Sequence, residues 1–277
     1  MTPQEAFAWL RKRLAPLGAA AAREAMLLLE DTLAREKISR YSTLPLPGEA
    51  VSRLDGQTGR RLQGEPLQYI LGEWEFYSLP FEVGPGVLIP RPDTECLVEQ
   101  ALEYLKGRPP QRIIDLCSGS GAVAVAIAHH APQCSVTALE KEPEAFGYLE
   151  RNIRHNHAGN VRAVCADLLD GPRGLGPFDL IVSNPPYIRS KVIDTLEEPV
   201  KREPRAALDG GEDGLKFYRA IVSLWLPALR QGAAAMVEIG YDQAGEVLKQ
   251  FAPHFVHCAC IQDYSGLDRV IVATGRR

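Results

Sequence analysis

The composition is that of a globular protein and excludes several other classes. The chain has 277 residues, of which 45% are hydrophobic and 24% are charged, which is usual for globular domains and sufficient for a sizeable core. Its formal net charge of −4 gives no overall basic surface, which argues against tight binding to nucleic acid.

Neither a membrane span nor a disulfide framework is predicted. No apolar run reaches the length of a bilayer-spanning helix, and the first residues, MTPQEAFAWLRKRL, lack the layout of a signal peptide. The six cysteines include no C-x-x-C pair, so we expect free thiols and no metal site. These features favour a cytoplasmic protein.

The N-terminal quarter of the chain is predicted to be helical. Phe7, Leu10 and Leu14 lie on one stripe at helical spacing, and the stretch AAAREAMLLLEDTLA continues the pattern, so we expect residues 1–72 to form a small helical bundle. Residues 73–92 alternate in polarity and carry Gly-Pro turns. This pattern predicts a β-hairpin that links the bundle to the rest of the chain.

Strands and helices alternate from residue 93 to residue 277. Such alternation predicts an α/β domain with a mostly parallel sheet and helices on both faces. A short turn at Gly266 joins the last two strands, so they should pair antiparallel and leave one strand of the sheet reversed. The seven predicted strands are 112–116, 135–140, 161–166, 178–183, 233–239, 256–262 and 269–274. The helices between them are predicted at 93–106, 121–130, 143–156, 214–229 and 242–251.

A glycine-rich loop follows the first of these strands. Gly119 and Gly121, in the stretch DLCSGSG, allow a tight turn and the close approach of a ligand to the backbone. Asp115 stands at the strand end as a hydrogen-bond acceptor. The next strand ends at Glu140, where a carboxylate can hold the two hydroxyls of a ribose. Together these residues predict a nucleoside-bearing cofactor.

Two cofactors fit this loop. The spacing Gly119-Ser-Gly121-Ala-Val-Ala124 is a variant of the dinucleotide fingerprint, which leaves NAD open. S-adenosylmethionine has no pyrophosphate, but its sulfonium and ammonium groups suit the carboxylate of Asp115. The reversed strand at the end of the sheet is typical of methyltransferases and favours S-adenosylmethionine.

A stiff corner follows the fourth strand, in the stretch FDLIVSNPPYI. Pro185 and Pro186 cannot continue a central strand, because neither has an N–H for the ladder. The side-chain oxygen of Asn184 and the carbonyl of Pro185 can accept both hydrogens of a planar NH2 group, and Tyr187 can stack on it. We therefore predict a catalytic role for Asn184, Pro185 and Tyr187 in methylation of an amide or aromatic amine, although a plain rigid turn would look similar.

Three longer stretches resemble the HemK/PrmC family, the release factor glutamine methyltransferases. Residues 65–99 resemble the family's linker, which ends in an I-P-R-P-[DE]-T-E block, and residues 202–221 and 262–273 are similar to later blocks. The resemblance implies a Rossmann-like methyltransferase domain at 93–277, preceded by a release-factor-binding helical domain. It also implies that S-adenosylmethionine is used to methylate the side-chain amide of the glutamine in the Gly-Gly-Gln motif of release factors. We expect a monomer that binds no nucleic acid directly.

The resemblance also implies the site residues. Those expected to bind the cofactor are Asp115, Cys117, Ser118, Gly119, Ser120, Gly121, Glu140, Asp167, Leu168 and Asn184. Those expected to bind the substrate are Arg91, Asn184, Pro185, Pro186 and Tyr187.

Two residues depart from the family pattern. Cys117 stands where the family has the first glycine of its loop, so a shifted backbone is expected there. Leu168 stands where the family often has an aromatic residue, so an aliphatic side chain would contact the adenine.

Three other functions remain open if the family resemblance is set aside. An N6-adenine methyltransferase acting on nucleic acid would need a basic face, whereas residues 65–277 carry 21 Lys and Arg against 28 Asp and Glu. A binding module without activity and an NAD-dependent enzyme are the remaining alternatives.

Overall fold

The computed structural model describes the whole chain, residues 1–277, and divides into two compact units. The first unit comprises residues 1–72 together with residues 198–202. The second comprises residues 73–197 and 203–277. No helix has the length and apolar character that crossing a bilayer requires.

The first unit is helical. Thr2 and Glu5 form a capping box that begins its first helix, because each side chain satisfies the backbone N–H of the other. Leu10, Leu28 and Leu54, from three different helices, are completely buried and form the centre of its core. The helices are α1 Pro3–Arg13, α2 Ala21–Glu36, α3 Gly48–Leu62 and α4 Leu67–Leu71, and the later segment contributes α9 Glu198–Lys201.

A two-stranded hairpin opens the second unit. Strands β1 Glu73–Phe76 and β2 Leu79–Glu82 pair antiparallel. Tyr77 and Ser78 both have positive φ, as the two-residue hairpin turn requires. The hairpin is therefore shorter than the segment 73–92 that the alternation indicated.

The seven-stranded sheet confirms the predicted fold class. Its strand order is β5-β4-β3-β6-β7-β9-β8, and β9 alone runs opposite to the other six strands. The strands are β3 Arg112–Leu116, β4 Ser135–Glu140, β5 Val161–Cys165, β6 Phe178–Ser183, β7 Leu229–Glu238, β8 Phe255–Gln262 and β9 Asp268–Arg276.

Helices cover both faces of this sheet. Alternate strand residues enter different cores, since Ile113 packs on one side and Ile114 on the other. The helices are α5 Glu95–Leu105, α6 Ala122–His130 and α7 Pro143–His155 on the first side, and α10 Lys216–Ala220 and α11 Ala244–Phe251 on the second. The short helix α8 Ser190–Ile193 follows β6.

The helix predicted at 214–229 is present as a helical segment at 216–228, but it is not one regular α-helix. Helix α10 passes into a π-helical turn at 221–225 and a 3-10 turn at 226–228, and β7 already begins at Leu229. Pro227 explains the break, because it has no N–H to donate and its ring clashes with the preceding turn.

The strand order brings several strand ends to one place. The chain proceeds outward from β3 through β4 to β5 and then returns to β6 on the other side of β3. The loops after β3 and β6 therefore separate at a topological switch point, where α/β sheets bind their ligands. In the register, Leu116 pairs with Ser183 and Ser183 pairs with Val237, so the residues that follow these positions meet at one edge.

Candidate active site

A cleft lies at this edge of the sheet. The space between its walls, with the open solvent at its mouth included, is about 1000 Å³. The predicted site residues that line it are Arg91, Asp115, Cys117, Ser118, Gly119, Ser120, Glu140, Asp167, Leu168, Asn184 and Pro186. Pro185 and Tyr187 are not among the lining residues, and neither is Gly121.

Asp115 lies at the floor of the cleft and is 1% exposed. Its Oδ2 atom is buried and has no hydrogen-bond partner. Burial raises the pKa of Asp115 to about 7, and a hydrogen bond with Ser118 opposes the rise. A carboxylate held in this way is suited to a positively charged ligand, which would restore the interactions lost with water.

Glu140 ties the end of β4 to the glycine loop. Its Oε2 accepts from the backbone N–H of Gly119 at 2.8 Å, and its Oε1 accepts from the N–H groups of Lys141 and Glu142, each at 2.8 Å. Burial raises its pKa, and these three hydrogen bonds limit the rise. Oε1 therefore has both lone-pair directions in use, whereas Oε2 keeps one with which it can accept from a ligand.

The corner after β6 is held from several directions. Asn184 donates from Nδ2 to the Thr94 hydroxyl at 3.1 Å. Tyr187 donates from its hydroxyl to Glu238 Oε1 at 3.2 Å and accepts at its carbonyl from Gln243 Nε2 at 3.0 Å. The ladder to β7 ends at Ser183, so the carbonyl of Pro185 lies beyond it. The corner is therefore a rigid element that presents Asn184 to the cleft.

Comparison with known proteins identifies the family. The PrmC N-terminal domain matches residues 5–72, and the methyltransferase small domain matches residues 94–212. The release factor glutamine methyltransferase of Geobacter sulfurreducens is 43% identical over 270 residues, which is 95% of this chain and 93% of that protein. The enzyme of the same name from Escherichia coli K12 is 36% identical over 267 residues, with 95% and 96% covered. The chain belongs to the release factor glutamine methyltransferase family.

The family assignment confirms the resemblance of the three sequence blocks. A structural likeness agrees with the fold: a crystal structure of a methyltransferase from Pyrococcus furiosus matches with a TM-score of 0.53 and 20% identity. The match covers 80% of this chain and 98% of that one. At this identity it supports the methyltransferase fold alone.

The two departures from the family pattern have clear structural outcomes. Cys117 adopts φ 62°, the left-handed conformation that a glycine would favour, so the loop keeps a glycine-like backbone around a larger side chain. Leu168 is 2% exposed and belongs to the second core, yet it also lines the cleft. Its carbonyl accepts from Trp225 Nε1 at 2.8 Å, which fixes the position of this aliphatic wall.

Gly121 has a packing role that its sequence position does not reveal. It begins α6 with φ 84°, and a Cβ atom there would lie 2.5 Å from Leu149 Cδ1. The glycine therefore allows α6 and α7 to approach each other. At Gly119, in contrast, a Cβ atom would meet nothing within 4 Å, so that position is open toward the cleft.

Cys117 leads to a stability prediction. A side chain with a Cβ atom costs roughly 1 kcal/mol or more at a left-handed position. We expect Cys117→Gly to be more stable than Cys117→Ala by about 1 kcal/mol, since both remove the thiol and only the glycine relieves the backbone. Urea unfolding of the two variants measures the difference. Equal midpoints and slopes would show that φ at this position costs nothing.

Arg91 is held by an acidic partner. Its guanidinium forms an ion pair with Glu203, whose side chain is almost fully buried. The other oxygen of Glu203 accepts from the N–H of Ile89 at 3.0 Å. Glu203 thereby fixes the segment that follows the hairpin along the wall of the cleft.

Several cleft residues were not predicted from the sequence. Phe76, Leu88, Thr94, Lys141 and Phe217 line the cleft, and Glu238 lies behind the corner. Thr94 belongs to the recognised I-P-R-P-D-T-E block, and Glu238 interrupts the apolar run AAAMVEI at a strand end. The sequence therefore contains a recognisable pattern at each of these two residues. The apolar residues carry no comparable signal, because an apolar residue beside a ligand resembles one in the core.

Proposed function

We propose that this protein methylates the side-chain amide nitrogen of the glutamine in the Gly-Gly-Gln motif of peptide chain release factors. The observation that carries the proposal is the position of Asn184. It follows Ser183, which is paired with the last residue of β3, so an amide-accepting corner lies beside a cofactor loop. The names of the relatives support release factors as the acceptor.

S-adenosylmethionine is the proposed methyl donor, and the cleft residues fit it. When bound, this cofactor supplies a methyl group on a positively charged sulfur. Asp115 offers an unpartnered, buried carboxylate oxygen, which suits a cation, and Gly119 leaves its backbone open. Glu140 would accept from a ribose hydroxyl through Oε2. Leu168 would provide an apolar wall for the adenine, and Asp167 would accept from its amino group.

Asn184 and Pro185 act on the acceptor nitrogen. The lone pair of a carboxamide nitrogen is delocalised, so the nitrogen must become pyramidal before it can attack. Two fixed acceptors, the Asn184 side-chain oxygen and the Pro185 carbonyl, favour this change and stabilise the positive charge that develops. They also place the nitrogen for in-line attack. The methylated nitrogen is acidic and loses its proton to water, so no general base is needed.

Pro186, Tyr187 and Arg91 complete the substrate side of the proposal. Pro186 and Arg91 line the cleft and would contact the glutamine and its neighbours. Stacking of Tyr187 on the substrate amide stays a prediction, since its hydroxyl is directed to Glu238. We further propose that residues 1–72 bind the body of the release factor, and that the enzyme acts in the cytoplasm as a monomer.

Glu140 leads to a prediction about cofactor affinity. Glu140→Ala should raise the Kd for S-adenosylmethionine by roughly 10-fold or more, because hydrogen bonds to a charged group are worth about 1.5–3 kcal/mol. Calorimetry measures this change. Because Glu140 also anchors three backbone N–H groups, Glu140→Gln serves as the matched control that keeps an acceptor oxygen. Unchanged affinity in Glu140→Ala would remove the residue from the cofactor site.

An acceptor assay tests the proposed function. Purified protein is incubated with S-adenosylmethionine labelled in its methyl group and with full-length release factor, a short Gly-Gly-Gln peptide or duplex DNA. We expect label in release factor, much less in the peptide and none in DNA, because contacts remote from the glutamine place it at the reacting centre. Label in DNA alone would replace the proposal with an N6-adenine methyltransferase. Equal rates for peptide and whole protein would contradict the role of residues 1–72.

A further inference from the structure

A buried carboxylate lies directly behind the corner. Because Val237 pairs with Ser183, the next residue, Glu238, lies beside Asn184 at the edge of the sheet. Glu238 is 1% exposed, and it is not a lining residue of the cleft. It is thus placed to act on the corner from the protein interior and not on a ligand.

Two hydroxyl groups, those of Tyr187 and Thr94, lie between Glu238 and the corner. Tyr187 donates to its Oε1 at 3.2 Å. The Thr94 hydroxyl also interacts with the carboxylate and lowers its pKa, although no donor reaches Oε2 with full hydrogen-bond geometry. Thr94 Oγ1 in turn accepts from Asn184 Nδ2 at 3.1 Å. Glu238 is therefore hydrogen-bonded to the last residue of the sequence Asn-Pro-Pro-Tyr, and it lies beside Thr94, which is hydrogen-bonded to the first.

We propose that Glu238 and Thr94 are positioning residues that fix which end of the Asn184 carboxamide faces the acceptor nitrogen. The inference rests on the proposed function, and it assigns a role to two residues outside the predicted site. Neither residue contacts the reacting atoms in this account; both act through Asn184.

The direction of the hydrogen bonds supports this role. A hydroxyl has one proton, and an ionised carboxylate can only accept. Because Thr94 Oγ1 accepts from Asn184 Nδ2, its own proton is directed elsewhere, and the Glu238 carboxylate is the acceptor beside it. Only the NH2 end of the Asn184 carboxamide can face such an oxygen, so its carbonyl oxygen faces the cleft. Without the carboxylate, the Thr94 hydroxyl could donate to Asn184, and a rotated carboxamide would present NH2 to the acceptor nitrogen.

A purely stabilising role does not explain Glu238. The nearby cation, Arg269, forms its ion pairs with Asp263 at 3.0 Å and Asp93 at 3.4 Å, and no ion pair joins it to Glu238. Burial raises the pKa of Glu238 to about 7. A carboxylate without a salt-bridge partner is costly to bury, and such groups are concentrated at functional sites.

A double-mutant cycle tests the proposal. Thr94→Val removes the hydroxyl and keeps the shape of the side chain, and its kcat on release factor should fall by about 10- to 100-fold, as misplaced reacting groups do. Thr94→Ser should recover most of the rate. In an Asn184→Ala background, Thr94→Val should have almost no further effect, because the residue it orients is absent. The assays are run at about pH 8, where Glu238 is ionised.

The controls separate positioning from folding and from the proposed function itself. The Kd for S-adenosylmethionine should be unchanged in Thr94→Val, and Thr137→Val, a threonine within β4, should keep the full rate. Glu238→Gln is the second variant and should also lower kcat. An equal loss from Thr94→Val in both backgrounds, or no loss in either, would overturn the inference.

A spectroscopic readout does not depend on the acceptor. In protein labelled with 15N-asparagine, the NH2 hydrogens of Asn184 should exchange with water more slowly in wild type and Thr94→Ser than in Thr94→Val. Equal exchange in all three would overturn the inference. If wild type failed to methylate release factor while this difference was present, the proposed function alone would be refuted.

Discussion

Asn184→Ala should lower kcat for methylation of release factor by roughly 100-fold or more, while most of the affinity for S-adenosylmethionine is kept. Removal of one preorganised hydrogen-bond partner of a reacting group typically has an effect of this size. The large effect on rate and small effect on affinity follow from geometry, because Asp115 and Glu140 remain to hold the cofactor.

Single-turnover kinetics and calorimetry on the same preparation measure the two effects. Asn156→Ala is a suitable control, since this half-buried asparagine donates to the carbonyl of Pro80 at 2.8 Å and is not a lining residue of the cleft. It should keep the wild-type rate even if its stability falls. Near-normal turnover in Asn184→Ala would remove the side-chain acceptor from the mechanism.

Asp115→Asn should raise the Kd for S-adenosylmethionine by about 10- to 100-fold and should stabilise the cofactor-free protein. Hydrogen bonds and charge contacts to an ionised group are worth about 1.5–3 kcal/mol, which accounts for the loss of affinity. The gain in stability arises because the charged carboxylate is buried with one oxygen unpartnered, and a neutral amide avoids that cost.

The pH dependence of both effects follows from the pKa of Asp115, which burial raises from 3.8 to about 7. The stabilising contribution of a raised carboxyl pKa is present below the unfolded value and is lost as pH rises through the folded value. Asp115→Asn should therefore stabilise the cofactor-free protein most above pH 7. Cofactor affinity should rise with pH up to about 7, because the cation needs the ionised form, with a slope of at most about tenfold per pH unit.

Calorimetry and thermal unfolding across this pH range test the account of Asp115. In Asp115→Asn, only the smaller slope that Glu140 contributes should remain, since burial raises the pKa of Glu140 as well. If wild type and Asp115→Asn showed the same pH dependence of affinity, another group would have to hold the cation.

The parts of the fold that depend on local patterns could be predicted from the sequence. The strand 112–116 and the strand 178–183 are mostly apolar segments with clear ends, and the structure has them at the predicted bounds. Asp115, Glu140 and Asn184 could be placed together for the same reason, because parallel strands bring their carboxyl ends to one edge.

The parts that depend on side-chain direction could not be predicted. Tyr187 has the same sequence position whether its ring faces the cleft or its hydroxyl reaches Glu238, and only the packed structure distinguishes these arrangements. The sequence predicts a cofactor contact for Gly121, and it does not indicate that a Cβ atom there would lie 2.5 Å from Leu149 Cδ1. Thr94 and Glu238 lie 90 and 54 residues from Asn184 in the chain, and no local pattern connects them.

The location of the transferred methyl group tests the central claim most directly. Release factor is incubated with S-adenosylmethionine and either wild type or Asn184→Ala, digested, and analysed by fragment-ion mass spectrometry. We predict one added methyl group on the side-chain amide of the glutamine in Gly-Gly-Gln. The methylated glutamine should be abundant with wild type and nearly absent with Asn184→Ala. A methyl group on any other residue, or equal methylation by the two proteins, would contradict it.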